Sequence, residues 1–206
     1  ARLCLYGPAG TGKSEYAKFI AKSLNSKLII KKASDLIDCY VGNTEKNIAN
    51  AFKEVKDQNA VLVFDEIDSF LQDRGDAVRK WEITQVNEML VQMESFEGIF
   101  IATTNLMDRL DRASIRRFDM KIEFGYMEGA QAAKLLQKEC ESLGISMDKA
   151  AKNSVAKIKF LTPGDFAAVA RSAKFSPILS VGEFIDRLNE EIKHKIIEDN
   201  GRRVGF

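Results

Sequence analysis

The residues of this chain best suited to chemistry begin close to its start. Gly7-Pro8-Ala9-Gly10-Thr11-Gly12-Lys13-Ser14 fits G-x-x-x-x-G-K-[ST], and it stands between an apolar run and a helical pattern, the context that gives the spacing its meaning. Glycines at 7, 10 and 12 let the backbone curl until successive N–H groups point at one phosphate, and the positive end of the following helix reinforces them. Lys13 would reach the β and γ phosphates, and Ser14 would hold Mg²⁺.

Three further groups carry polar chemistry at the ends of apolar runs. Val61-Leu62-Val63-Phe64-Asp65-Glu66 ends in two carboxylates; Asp65 suits a Mg²⁺ shell, and Glu66 could take a proton from an attacking water. An isolated acidic pair is as often merely solvated, but beside a phosphate loop the chemical reading gains. Ile99-Phe100-Ile101-Ala102-Thr103-Thr104-Asn105 ends in hydroxyls and an amide, where Asn105 either orients that water or forms a turn. Arg116 and Arg117 precede the last apolar run; the guanidinium fork suits a phosphoryl group in its transition state, although surface arginines are commonly structural.

These groups need elements to hold them. Strand patterns are predicted over 2–6, 27–31, 60–65, 99–103 and 120–124, and helical ones over 13–24, 44–55 and a stretch in which Ile83, Val86, Leu90 and Met93 recur on one face. Such alternation predicts an α/β domain: a mostly parallel sheet covered by helices on both faces, with ligands at the carboxyl ends of the strands. After Phe124 only helical patterns follow, around 130–143, 147–157, 163–174 and 181–198. The expected organisation is a nucleotide-binding domain over 1–125 and a small all-helical lid over 126–206.

Composition excludes several classes. With 31 Lys and Arg against 30 Asp and Glu among 206 residues, the net charge of +1 supplies no field to hold a polyanion or an acidic membrane. No apolar run approaches the ~18 residues of a membrane span. Cys4, Cys39 and Cys140 lie far apart, and His194 is the sole histidine, so reduced thiols in the cytoplasm, without a zinc site, are expected. A strand pattern starting directly after Ala1 suggests a domain cut from a longer polypeptide.

Taken in order, these motifs resemble the ATPase module of the AAA+ family. Gly7–Ser14 is similar to Walker A, Phe64-Asp65-Glu66-Ile67-Asp68 to Walker B, and Phe100–Asn105 through Arg116-Arg117-Phe118-Asp119 to the second region of homology that marks protein-remodelling branches. The resemblance implies a P-loop fold that binds ATP and Mg²⁺, with Asn105 as sensor 1 and Arg116 and Arg117 as arginine fingers reaching the ATP of a neighbour in a hexameric ring. Tyr40-Val41-Gly42 resembles the pore loop with which threading motors grip a protein substrate. The alternative, that Tyr40 and Val41 end a strand or pack in the core, predicts burial.

Two departures from the family pattern stand out. Gly164 and Asp165 occupy the place of a sensor-2 arginine, and Glu15, directly after the loop, adds negative charge near the phosphates. The implied function is ATP hydrolysis by a motor that remodels, unfolds or threads proteins. A nucleotide-gated scaffold or DNA-linked switch is the alternative, and near-neutral charge weighs against DNA. A small-molecule kinase is disfavoured by Glu66 and the arginine pair.

Overall fold

The computed structural model describes residues 1–40, 42–71 and 80–202. In chain order the first part contains β1 (Arg2–Tyr6), α1 (Lys13–Ser23), β2 (Leu28–Lys32), α2 (Ala33–Leu36), α3 (Asn43–Gln58), β3 (Val61–Asp65), α4 (Lys80–Ser95), β4 (Ile99–Thr104), α5 (Arg112–Ile115) and β5 (Met120–Glu123). The five strands form one sheet in the order β2-β3-β4-β1-β5, and every neighbouring pair is parallel. Each strand is short, four to six residues, and each crossover carries a helix, as parallel pairing requires.

Alternation along the strands explains the two faces of the sheet. Leu5, Val61, Val63 and Ile101 point to one side, where Ala17 and Ala21 of α1 meet them. Cys4, Leu62, Phe64, Phe100 and Ala102 point to the other, where Ile48, Phe52 and Val55 of α3 and Met89, Leu90 and Met93 of α4 cover them. Phe52, Phe64 and Phe100 sit with ring centroids 5.4–5.5 Å apart, close enough for edge-to-face attraction beyond the area they bury.

Local chemistry shifts several boundaries from the sequence expectation. Helix α3 runs on to Gln58 because Asn59 takes a left-handed conformation (φ 49°) and returns its N–H to the last turn. Strand β2 lies one residue later than its apolar run suggests, since Lys32 pairs with Asp65 across the sheet. Helices α2 and α5 are too short for periodicity to reveal. Helix α5 rests on its cap, where the Asp111 carboxylate accepts the N–H groups of Ala113 (2.6 Å) and Ser114 (3.2 Å).

The chain divides into two compact units, one of Ala1–Pro8 with Lys13–Phe124, the other of Ala9–Gly12 with Gly125–Phe206. Beyond residue 124 the second unit holds α6 (Gly129–Leu143), α7 (Lys149–Val155), α8 (Pro163–Ser172) and α9 (Val181–Arg202). Leu136, Cys140, Val155, Phe166, Phe184 and Leu188 form its core, each all but inaccessible to solvent. Helix α6 closes at Gly144, whose φ of 72° glycine adopts without strain. No helix among the described residues is long and apolar enough to cross a membrane.

Candidate functional site

Sheet order brings the polar strand ends together. Strand β4 lies between β3 and β1, with Phe64 opposite Ala102 and Tyr6 opposite Thr104. Gly7, Asp65, Glu66, Thr104 and Asn105 therefore emerge along one carboxyl edge, where open parallel sheets hold ligands.

The glycine-rich turn leaves β1 at Gly7, whose N–H donates to the Thr104 carbonyl at 3.3 Å. Its φ is 132°, and a Cβ there would stand 2.1 Å from the Phe124 carbonyl oxygen, so neither the conformation nor the space admits a side chain. Pro8 is half-buried, Ala9 and Gly10 are exposed, Thr11 is buried, and Gly12 turns the chain into α1 at φ 98°. Lys13 follows, buried, its Nζ donating to the carbonyls of Gly7 and Pro8 at 2.8 Å each. Burial pulls the Lys13 pKa down, against the opposing pull of the Asp65 and Asp68 carboxylates. The ammonium is thus folded back on its own loop.

Asp65 is the hub of the site. Its Oδ1 accepts the Ser14 hydroxyl at 2.9 Å and the Thr103 hydroxyl at 2.5 Å, and Thr103 Oγ1 in turn accepts the Glu66 N–H at 3.2 Å. Next to this set, Asp68 accepts the Thr104 hydroxyl at 2.8 Å, and Thr104 Oγ1 accepts the Leu106 N–H at 2.9 Å. Glu66 itself is exposed and left-handed, at φ 61°. That conformation costs a non-glycine residue of order 1–3 kcal/mol and persists where the surroundings impose it. Asn105 is exposed, without a side-chain hydrogen bond to another described residue.

Carboxylate and hydroxyl oxygens at Asp65 and Ser14 are hard donors of the kind Mg²⁺ takes, and the curled loop before them supplies backbone N–H groups. The donor set fits a metal–nucleotide pair. Glu15, which the sequence places next to the phosphates, instead pairs with Lys18 at 2.6 Å on the outer surface of α1.

The two arginines differ. Arg117 is half-buried: Nη1 donates to the Ala113 carbonyl at 2.8 Å, and Nε lies 2.7 Å from Glu94 Oε1, an ion pair by distance without the alignment of a hydrogen bond. Arg116 is exposed, and its side chain makes no hydrogen bond or ion pair with another described residue. Tyr40 is 71% exposed, so it is not a core residue. Its loop is braced from within: Asp38 Oδ1 accepts the Tyr40 N–H (2.8 Å), Thr44 Oγ1 accepts the Asp38 N–H (3.0 Å), and Gly42 turns at φ 86° into α3. Val41 lies outside the described residues.

Sequence reasoning gave Thr103, Thr104 and Asp68 no role, and passed over the Arg2–Asp119 pair. Their significance depends on which strands are neighbours, which no local pattern states. Arg2 holds the Asp119 carboxylate with its guanidinium (2.9 Å) and its N–H (2.8 Å), which keeps the Asp119 pKa below the usual range and ties the arginine segment to β1.

Comparison with known proteins places the chain in a family. Over 98% of its length the chain is 30% identical to the AAA family ATPase y4kL of Sinorhizobium fredii, covering 61% of that protein. It is 30% identical over 87% of its length to vacuolar protein sorting-associated protein 4 of Dictyostelium discoideum, covering 42% of it. With the cell division cycle protein 48 homolog of Archaeoglobus fulgidus it shares 29% identity over 95% of its length, covering 28% of that protein. The chain thus spans between about a quarter and three fifths of these relatives. The model of the ATPase family associated with various cellular activities (AAA) matches residues 3–126, the sheet and its helices, and the chain belongs to that family.

Proposed function

We propose that this chain binds ATP with Mg²⁺ at Gly7–Ser14 and hydrolyses it as one subunit of a hexameric ring that remodels or threads protein substrates. The observation that carries the reading is the Ser14–Asp65 hydrogen bond of 2.9 Å. It joins the start of α1 to the end of β3, so a hydroxyl and a carboxylate share the spot beside the phosphate loop. The bound metal would neutralise phosphate charge as it develops. The chain's own residues do the rest.

Backbone N–H groups of residues 9–13 hold the phosphates, and Lys13 leaves the carbonyls of Gly7 and Pro8 to join them. Ser14 and Asp65 hold the metal. Glu66 takes the proton of the attacking water. Asn105 orients that water from the neighbouring strand end. Arg116 and Arg117 serve the site of the adjacent subunit, and Tyr40, Val41 and Gly42 line the channel. Residues 1–125 act as the nucleotide-binding domain and 126–206 as its helical lid domain. The free thiols of Cys4, Cys39 and Cys140 suit a cytoplasmic setting.

The test is ATP turnover by the full-length protein with Mg²⁺, with chelator, and with Asp65→Asn. Turnover that needs Mg²⁺ and falls more than about 100-fold in the variant supports the reading. A parent that neither binds nor turns over ATP overturns it.

A further inference from the structure

Inside the second unit, the tip of the glycine loop meets the start of α8, where an ion pair joins buried Asp165 to half-buried Lys195. The Gly164 N–H donates to the Gly10 carbonyl at 2.9 Å. A Cβ on Gly164 would stand 2.9 Å from Gly10 Cα, and one on Gly10 would stand 2.9 Å from Thr162 Oγ1. The two backbones touch with no room for a methyl group. Thr162 and Asp165, which frame Gly164, are 0% and 4% exposed. Asp165 Oδ2 accepts the Thr162 N–H and the Thr162 hydroxyl, both at 2.8 Å. The charge on Asp165 is answered from α9: Lys195 Nζ lies 2.6 Å from Oδ1 and 2.7 Å from Oδ2, and also donates to Thr162 Oγ1 at 3.1 Å.

Thr162 and Asp165 are the N-cap and N3 residues of the capping box that opens α8. Among the described residues Lys195 is the sole cation bonded to Asp165. Desolvating the Asp165 carboxylate makes the pair a poor source of stability, yet removal of half-buried Lys195 strands that carboxylate. What such a pair supplies is a fixed geometry. Here the geometry is that of Thr162 and Gly164, and through them of Gly10.

We propose that Lys195 is a positioning residue for the nucleotide loop: by holding Asp165 and Thr162 it fixes the start of α8 against Gly10, so nucleotide at the loop and the C-terminal helix α9 are energetically coupled. This rests on reading Gly7–Ser14 as the nucleotide loop. Coupling is reciprocal. Whatever a nucleotide gains from a loop held in this curl, the Lys195–Asp165 pair gains from the nucleotide, and α9 is steadied when the loop is filled.

The experiment measures ADP affinity in Mg²⁺ buffer with a fluorescent ADP analogue, and backbone hydrogen exchange with and without ADP, on the full-length protein and on Lys195→Met and Lys195→Arg. In the parent, ADP slows exchange in α1 and in α9. In Lys195→Met, affinity falls about tenfold, α1 is still protected at saturating ADP, and the slowing in α9 disappears; Lys195→Arg restores both. A merely structural role would lower stability without uncoupling α9 from the ligand. If Lys195→Met does not fold, Lys195→Met with Asp165→Asn leaves no unpaired charge and is expected to show the same weakening. Parent-like affinity together with parent-like slowing in α9, in whichever of these variants folds, overturns the proposal. A parent that binds no ADP fails at the earlier step and overturns the nucleotide reading along with this one.

Discussion

Thr103 gives its hydroxyl proton to Asp65 at 2.5 Å and with the same oxygen takes the N–H of Glu66 at 3.2 Å. One buried hydroxyl on β4 thus fixes both acids at the end of β3. Thr103→Val keeps the shape and removes both bonds. Unmet hydrogen bonds at a buried site cost about 1–3 kcal/mol, so urea unfolding is expected to shift by that amount. Turnover is expected to fall about tenfold more than nucleotide affinity does, because Glu66 loses its fixed position.

The arginines separate by what they touch at home. Arg116→Ala removes no bond to another described residue, so unfolding stays within about 0.5 kcal/mol of the parent, while turnover drops by about 10³ or more if the side chain serves a neighbour. Arg117→Ala loses the Ala113 carbonyl and the half-exposed Glu94 pair, and is expected to cost about 1 kcal/mol as well. Mixing an Arg116→Ala, Arg117→Ala subunit with a Lys13→Ala subunit restores turnover if the arginines act across an interface. No recovery on mixing contradicts the proposed role at a neighbour's site.

Tyr40 yields a prediction of opposite shape. Truncating a buried aromatic costs about 3–5 kcal/mol, but at 71% exposure Tyr40→Ala is expected to leave thermal unfolding and basal ATP turnover unchanged. ATP-driven unfolding of a protein substrate is expected to fail, since in the proposed ring the lost contacts would recur in every subunit. Unchanged substrate unfolding contradicts the pore assignment.

Much of this was legible in the sequence, and the gaps have physical causes. The continuous apolar run at Leu62, Val63 and Phe64 and helix periodicity at Val86, Leu90 and Met93 report burial directly, so the parallel sheet and its covering helices could be anticipated. Gly7, Lys13, Ser14, Asp65 and Glu66 carry their chemistry in local spacing. Thr103 does not: its importance arises because β4 lies beside β3, a fact about pairing across 38 residues. The bond between Lys195 and Asp165 spans 30 residues and is equally silent. Helix α5 is silent because four residues hold no period, and Arg117 differs from Arg116 through Glu94, which the fold places beside it.

The cysteines give a pH prediction. Burial pushes the Cys4 thiol up to about 11, with Lys121 pulling slightly the other way. A raised folded value means that the buried neutral thiol contributes stability fully present below pH 9 and lost as pH climbs to about 11. The slope is about 1.4 kcal/mol per pH unit. Cys4→Ala is expected to remove that slope from urea titrations between pH 9 and 11. Iodoacetamide on the native protein is expected to label exposed Cys39 first and to reach buried Cys4 and Cys140 only on unfolding.

The most direct measurement is paired ATP binding and ATP turnover for Glu66→Gln in the full-length protein with Mg²⁺. The substitution keeps side-chain size, the left-handed backbone at φ 61° and every bond around Asp65, and removes the negative charge together with the ability to take a proton. Binding within about threefold of the parent, with turnover reduced by at least about 10², is the expected result. Near-normal turnover by the variant would contradict the role of Glu66 and, with it, the proposed hydrolytic site.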